Sequence, residues 1–513
     1  MKTRSMITGA LILTGAGVIT RVLGFVYRVY MSNVLGAEGM GLYQLIMPMY
    51  ALAWSIACSG FNTVVSKVIA QERAKREYGN MGMVLKQSVI ITSSVGLVLS
   101  VSLYFLAEVA AAYVFKDMRT IIALKILSLA FPFMAAGTCV RGYFLGLQET
   151  LVPAINQVLE QTVRMITIYF LASFFVPRGL EYACAVAVIG IVAEEIVSFI
   201  YIFVSYRKFK SKHKLVSRPS LTARQSLGMI MGMAVPLTAN RVSGSLLSAL
   251  ENILIPQRLQ LFGMTQGEAM SVFGRLSGMA MPLIYFPTAL LTSLSITIVP
   301  AVSESLALGR MSSIRLTVSK SLLFAGISGV GASALFICFP DELGLVFYNQ
   351  PIGDMLFLLG LMCPFLYVQI IFAGVLNGLG NQLFIFKISL ISSAINICCI
   401  YFLVPMFGVH AFMGGWFASL VVSCSMEVYK IIKTISIDID LTNWLLKPGL
   451  SAAAAGLTAR YINSNYLQPA FGKFGVLASI ALLFALFATF IVLTGVLNKE
   501  DIGRFINRKP AMG

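Results

Sequence analysis

Amide, acidic and basic side chains recur at helical spacing along a segment otherwise apolar enough to lie in a bilayer. In PAINQVLEQTVRMITIYF, which begins at Pro153, the residues Asn156, Glu160 and Arg164 follow one another at intervals of four. On an α-helix that interval puts an amide, an acid and a base along one stripe. Gln157 and Gln161 flank the stripe, while Val158, Leu159, Val163 and Ile166 cover other faces. Two chemistries are open to it. Glu160 and Arg164 can neutralise each other and tie their helix to a neighbour. Alternatively, the stripe can line a cavity in which Arg164 meets an anion and Glu160 holds the guanidinium in position.

The same tension appears elsewhere. GVITRVLGFVYRVYMSNVLG (17–36) carries Arg21 and Arg28, and seven positions are almost two helical turns, so both guanidinium groups point the same way. NRVSGSLLSALEN contains Arg241 and Glu251, whose directions around a helix differ by roughly 80°. FGRLSG places Arg275 at the head of the next apolar segment, as a ligand or as an anchor that snorkels to the interface. The adjacent Glu194 and Glu195 diverge by about 100°, so at most one faces a cavity squarely; the other is protonated or paired with an arginine. A charge at the bilayer centre costs between about 2.5 and more than 10 kcal/mol, so charges this deep face water or a partner rather than lipid. Arginine binds phosphate with a planar fork and stays charged. Several of them suit a phosphate- or pyrophosphate-bearing substrate, whereas a carrier of organic cations calls for acids and aromatics.

The elements that hold these residues are apolar helices. The 513-residue chain is 58% hydrophobic and 12% charged, with a mean hydropathy of +0.86, a composition no soluble surface tolerates. Apolar runs of roughly 20 residues centre near residues 18, 53, 100, 132, 164, 194, 240, 285, 331, 365, 394, 422, 454 and 484. The expected fold is an all-α polytopic membrane protein of about fourteen transmembrane helices. The first apolar run continues past any cleavage point and reads as an uncleaved helix rather than a signal peptide. The net charge of +17 does not indicate nucleic acid. Most lysines and arginines fall in alternate loops, such as 67–86, 207–224, 310–320 and 430–447, the positive-inside pattern that puts both termini in the cytoplasm.

Cys58, Cys139, Cys184, Cys338, Cys363, Cys398, Cys399 and Cys424 fall within apolar segments without metal or redox spacing and read as small packing residues. His213 and His410 lack partners for a triad or a metal site. There is no phosphate-binding GxxxxGK[ST] loop and no room for an ATPase domain. Uphill transport therefore needs Na+, H+ or the membrane potential, with no other cofactor and no covalent chemistry.

The chain also repeats itself faintly. FPFMAAGTCVRGYFLGLQETLVP (131–153) aligns with CPFLYVQIIFAGVLNGLGNQLFI (363–385), setting Pro132 on Pro364, Gly142 on Gly374 and Gly146 on Gly378. Thr20-Arg21 likewise falls on Asn240-Arg241. The ordered matches suggest two parallel six-helix lobes. The resulting division is a lobe over 1–206, a basic cytoplasmic linker over 207–224, a second lobe over 225–437, and two further helices with a cytoplasmic tail over 438–513.

TRVLGFVYRVYMSNVLGAEGMGLYQLIMPMY (20–50), RGYFLGLQETLVPAINQVLEQTVR (141–164) and AGVLNGLG (373–380) closely resemble the stage V sporulation protein B family, within the multidrug/oligosaccharidyl-lipid/polysaccharide exporter superfamily. The resemblance covers nearly the whole chain. It implies fourteen helices, two lobes around a central cavity, alternating access, and the handling of peptidoglycan precursors or related polysaccharide lipids. A more distant resemblance links Thr20–Phe25 to the first helix of MurJ-type lipid II flippases and carries Arg21 over to a cavity arginine. Tyr27-Arg28 departs from their Arg-Asp, which makes Arg28 a shifted match. FGRLSGMAMPL resembles the opening of their eighth helix, supporting Arg275, and Glu251 sits near an aspartate of their seventh.

The expected function is translocation of an undecaprenyl-pyrophosphate-linked saccharide such as lipid II, in spore cell-wall synthesis among other settings. Arg21, Arg28, Arg164, Arg241 and Arg275 would bind the pyrophosphate. Asn156 would be a polar cavity group, and Glu160 or Glu251 a coupling acid. Membrane lipids and cell-wall synthesis proteins are the expected partners. The alternatives are a cation-coupled multidrug exporter of the same superfamily and a non-transporting scaffold for envelope assembly.

Overall fold

The computed structural model describes residues 6–213, 219–437 and 440–496. Lys2 and Arg4, the middle of the basic linker at 214–218, and the tail beyond 496 lie outside the described residues. The described residues are 92% helical, with no strand among them. In a bilayer this is the expected outcome, because a helix satisfies its own backbone polar groups.

Among the described residues, ten helices are long and apolar enough to cross a membrane, or eleven if the bent pair Met118–Ser128 and Ala130–Gly146 counts as one span. The difference from about fourteen has physical causes. The centres at 18 and 53 share one run, Ile12–Ala74, whose first helix α1 (Met6–Trp54) is interrupted at Gly36, with φ 69°. That left-handed conformation suits glycine, and it folds two helical stretches into one continuous element. The centre at 240 lies in a 39-residue helix, Ala223–Leu261, diluted by Arg241, Ser243, Ser245, Ser248 and Glu251. The centre at 454 lies in a helix of only 16 residues, Lys447–Ile462.

Two compact units divide the chain, one comprising Met1–Gly278 with Val404–Gly408 and the other Met279–Leu403 with Val409–Gly513. In the first unit α1 is followed by α2 (Gly60–Ala74), α3 (Tyr78–Val109), α4 (Ile121–Ser128), α5 (Ala130–Gly146), α6 (Leu151–Phe175), α7 (Leu180–His213), α8 (Ala223–Leu261) and α9 (Gln266–Phe273). Its core gathers Val65, Val68, Ile69, Val84, Cys139 and Phe144 around Ile202 and Ile230.

Small residues let these helices touch backbone to backbone. Gly142 and Gly146, four apart on α5, lie against the Asn62 and Ser66 carbonyls of α2, and a Cβ on either would come within 2.8 and 2.5 Å of those oxygens. Gly41 of α1 and Gly274 just after α9 meet in the same way, against the carbonyls of Met270 and Ala37. The chain entering α8 is pinned by Asn80. Its amide donates to Glu72 Oε2 (2.7 Å) and Ser220 Oγ (2.9 Å), and its oxygen accepts from the Ser220 and Leu221 amides. Thr222 and Gln225 then form a reciprocal cap at the helix start, satisfying donors that the first turn leaves free.

In the second unit, the helix Met311–Cys338 packs on Gly353–Gly378, with Ser333 Oγ donating to the Gly360 carbonyl at 2.7 Å. An apolar cavity of about 470 Å³ opens beside Pro364, Phe365, Val428 and Trp444. Six of the eight cysteines are buried, Cys399 is half-buried and Cys398 exposed, and all are free thiols.

Candidate functional site

The charged stripe of α6 meets α5 and α7 in the first unit. The α5–α2 glycine contacts seat α5 firmly, and Arg141, immediately before Gly142, turns toward α6. There its Nη2 donates to Glu160 Oε1 at 2.5 Å. The same oxygen accepts from Asn156 Nδ2 (2.8 Å) and from Ser198 Oγ of α7 (2.6 Å), and Asn156 Nδ2 also donates to Ser198 Oγ (2.9 Å). Arg164 reaches α7 through a fork, Nε donating to Glu194 Oε2 at 2.6 Å and Nη2 to Glu194 Oε1. Gly190, one turn before Glu194, makes room for Ile168 one turn beyond Arg164, since a Cβ there would lie 2.8 Å from Ile168 Cδ1. The Arg164 guanidinium lies 5.8 Å from the Tyr27 ring centroid. Glu195 takes a hydrogen bond from Tyr50 of α1, 2.5 Å from hydroxyl to Oε1.

The self-neutralising pair Glu160–Arg164, one of the two alternatives, is therefore not formed among the described residues. Each partner pairs with a neighbouring helix instead. Had α6 neutralised itself, Arg141 on α5 and Glu194 on α7 would have been left as uncompensated charges, each costing several kcal/mol. Crossed pairing satisfies all four. Of the two adjacent glutamates, Glu194 is the one held by an arginine, as the pairing alternative required. Lys125 of α4 is bonded to Glu108 of α3 at 2.8 Å.

The other arginines sit differently. Arg21 is exposed and Arg28 half-buried on α1, and neither makes an ion pair among the described residues. Arg241 is exposed on α8, with its guanidinium 5.8 Å from the Trp54 ring centroid. Arg275 is half-buried in the π-helical turn after α9, its Nε donating to the Ser271 carbonyl at 3.4 Å. The Gly274–Ala37 contact fixes that turn against α1. Glu251 is half-buried on α8. The structure thus brings Asn156, Glu160 and Arg164 into one network. It places Arg21, Arg28, Arg241 and Arg275 outside that network, on α1 and on elements packed against α1.

Nothing in the sequence singles out Ser198, Tyr50 or Gly190, and it shows Arg141 as a basic residue within a span without its place in the site. Arg141 was discoverable as a deep cation in a helix with no acid of its own. Ser198 and Tyr50 carried no signal, because a hydroxyl in an apolar segment usually bonds its own helix.

This arrangement, a helical membrane unit with a bonded acid–base network and separate arginines, occurs within a transporter fold. The whole chain superposes on lipid II flippase MurJ in an inward closed conformation with a TM-score of 0.71 at 14% identity, covering 94% of this chain and 98% of that one. It also superposes on an inward-facing multidrug resistance MATE transporter with a TM-score of 0.64 at 14% identity, over 83% and 98% of the two chains. Residues 6–306 match the model of the family described as polysaccharide biosynthesis protein, and the chain belongs to that family. It is 32% identical to stage V sporulation protein B of Bacillus subtilis (strain 168) over 71% of this chain and 70% of that protein. It is 25% identical to lipid II flippase MurJ of the same organism, over 67% of this chain and 65% of that protein.

Proposed function

We propose that the protein translocates an isoprenoid-pyrophosphate-linked saccharide, a peptidoglycan precursor such as lipid II, across the cytoplasmic membrane by alternating access, with both termini in the cytoplasm. The observation that carries this reading is the separation of charges in the first unit. Its interior acids Glu160 and Glu194 are matched by Arg141 and Arg164, while Arg21, Arg28, Arg241 and Arg275 form no ion pair among the described residues. Four arginines without carboxylates in one membrane unit form an anion-selective surface, and a pyrophosphate supplies the counter-charge in a form their forks accept. Arg164 is already held by Glu194, so in this reading it shapes the site and the four others make the first contact. The similarity to stage V sporulation protein B supports a role in spore envelope synthesis. Translocation needs no covalent step.

The test is reconstitution in proteoliposomes with fluorescent lipid II, scoring its movement between leaflets. Wild-type protein is expected to translocate it. Losing one charge-assisted contact of about 1.5–3 kcal/mol should slow Arg21→Ala or Arg28→Ala roughly 10- to 100-fold. Folded wild-type protein that leaves lipid II in place would refute the reading.

A further inference from the structure

Charge counting in the first unit leaves one carboxyl over. Glu160, Glu194 and Glu195 sit among only two interior cations, Arg141 and Arg164. Arg164 is committed to Glu194 by both limbs of its fork, and Arg141 to Glu160. Glu195 is 8% exposed, and its partner is the Tyr50 hydroxyl, which donates a hydrogen bond but offsets no charge. The groups around it are Tyr50 on α1, Cys58 in the turn after α1, Arg141 on α5, Glu160 and Arg164 on α6, and Glu194 on its own helix. Tyr27 and Tyr43 extend the cluster toward Arg28. A carboxylate so placed without a cation of its own is costly.

A second observation points the same way. Asn156 is fully buried with its amide nitrogen turned into this network, yet its Oδ1 receives no hydrogen bond. Arg141 Nε is likewise buried without an acceptor. The network holds an unfilled acceptor, an unfilled donor and a carboxyl without a cation of its own, so its charge rather than its hydrogen bonding is what one proton would balance. A hard metal cation fits poorly, since it needs several oxygen ligands, and Glu195 is faced by a guanidinium and a hydroxyl that donates.

We propose that Glu195, held by Tyr50, is a proton-binding site of the first unit. This rests on the translocation reading above and deepens it by naming the coupling ion. Protonated, the three carboxyls and two guanidiniums sum to zero. Deprotonated, they leave one negative charge in the unit that carries the anion-attracting arginines. Proton binding and anion binding then favour each other, and by linkage the coupling is reciprocal.

The experiment is infrared difference spectroscopy across a pH step on the full-length protein in lipid nanodiscs, without substrate. Wild type is expected to show the carbonyl stretch of a buried protonated carboxylic acid. That band should be absent in Glu195→Gln, shifted toward a weaker hydrogen bond in Tyr50→Phe, and unchanged in Glu251→Gln. Glu427, buried in the second unit with no ion pair among the described residues, gives the same background in every variant, so the Glu195 band is read from the wild-type-minus-variant difference. A band unaltered by Glu195→Gln overturns the proposal. If that variant does not fold, Tyr50→Phe decides, and an unmoved band overturns it. Because no substrate is present, the outcome is independent of cargo. Loss of the band in Glu195→Gln together with failed lipid II translocation by the wild-type protein would support the proton site and refute the substrate.

Discussion

The crossed pairing of α6 can be tested by double-mutant cycles, which isolate the energy between two side chains. Arg164→Met and Glu194→Gln form one cycle, Arg164→Met and Glu160→Gln the other. In the first, the guanidinium and carboxylate make a fork with Nε 2.6 Å from Oε2. Charge centres about 4 Å apart in partly buried surroundings interact by about 4 kcal/mol at an effective dielectric near 20. In the second, Glu160 makes no bridge to Arg164, and its Oε1 already takes Arg141, Asn156 and Ser198. At about twice the separation the same estimate gives about 2 kcal/mol. Equilibrium unfolding in mixed detergent micelles should show a coupling in the Arg164–Glu194 cycle at least twice that of the Arg164–Glu160 cycle. Each single substitution should cost more than the double one, because it strands a buried charge. Equal couplings, or a larger one for Glu160–Arg164, would refute the assignment and restore the self-neutralised stripe.

Two further outcomes follow from the packing. Gly274→Ala forces a methyl group into the Ala37 carbonyl and should destabilise the protein by about 1–3 kcal/mol in the same unfolding assay, while Gly228→Ala, which meets nothing within 4 Å, should be near neutral. Asn80→Ala strands Glu72 Oε2 and frees the chain before α8, so it should cost about 1–3 kcal/mol, and limited trypsin digestion within 206–224 should accelerate relative to wild type.

The membrane class and most spans were legible because bilayer burial imposes a long apolar signature that nothing soluble shares. The apolar signature is weakest where function or geometry dilutes it: α8 with its serines and Arg241, the short Lys447–Ile462 helix, and α1, whose two apolar runs share one element kinked at Gly36. The α6 stripe was legible as a stripe, since Asn156, Glu160 and Arg164 share spacing. Its partners were not, because pairing depends on which charges α5 and α7 deliver to the same depth. Arg141 and Glu194 stood in the sequence as deep charges, but nothing local linked one to Glu160 and the other to Arg164. Gly142 and Gly146 stood out as repeat positions. Their task of pressing α5 onto Asn62 and Ser66 becomes visible only with both helices in place.

The crossed pairs also bear on how the protein enters its membrane. Each of α5, α6 and α7 emerges from the ribosome carrying charge that its own helix does not neutralise by contact, and every such residue costs about 2.5–3.5 kcal/mol at the centre of a lone inserting helix. Arg141 finds relief only when Glu160 arrives, and Arg164 only when Glu194 does. The three helices therefore reach charge balance only as a set, and the pairing energy is gained once α7 has joined α5 and α6.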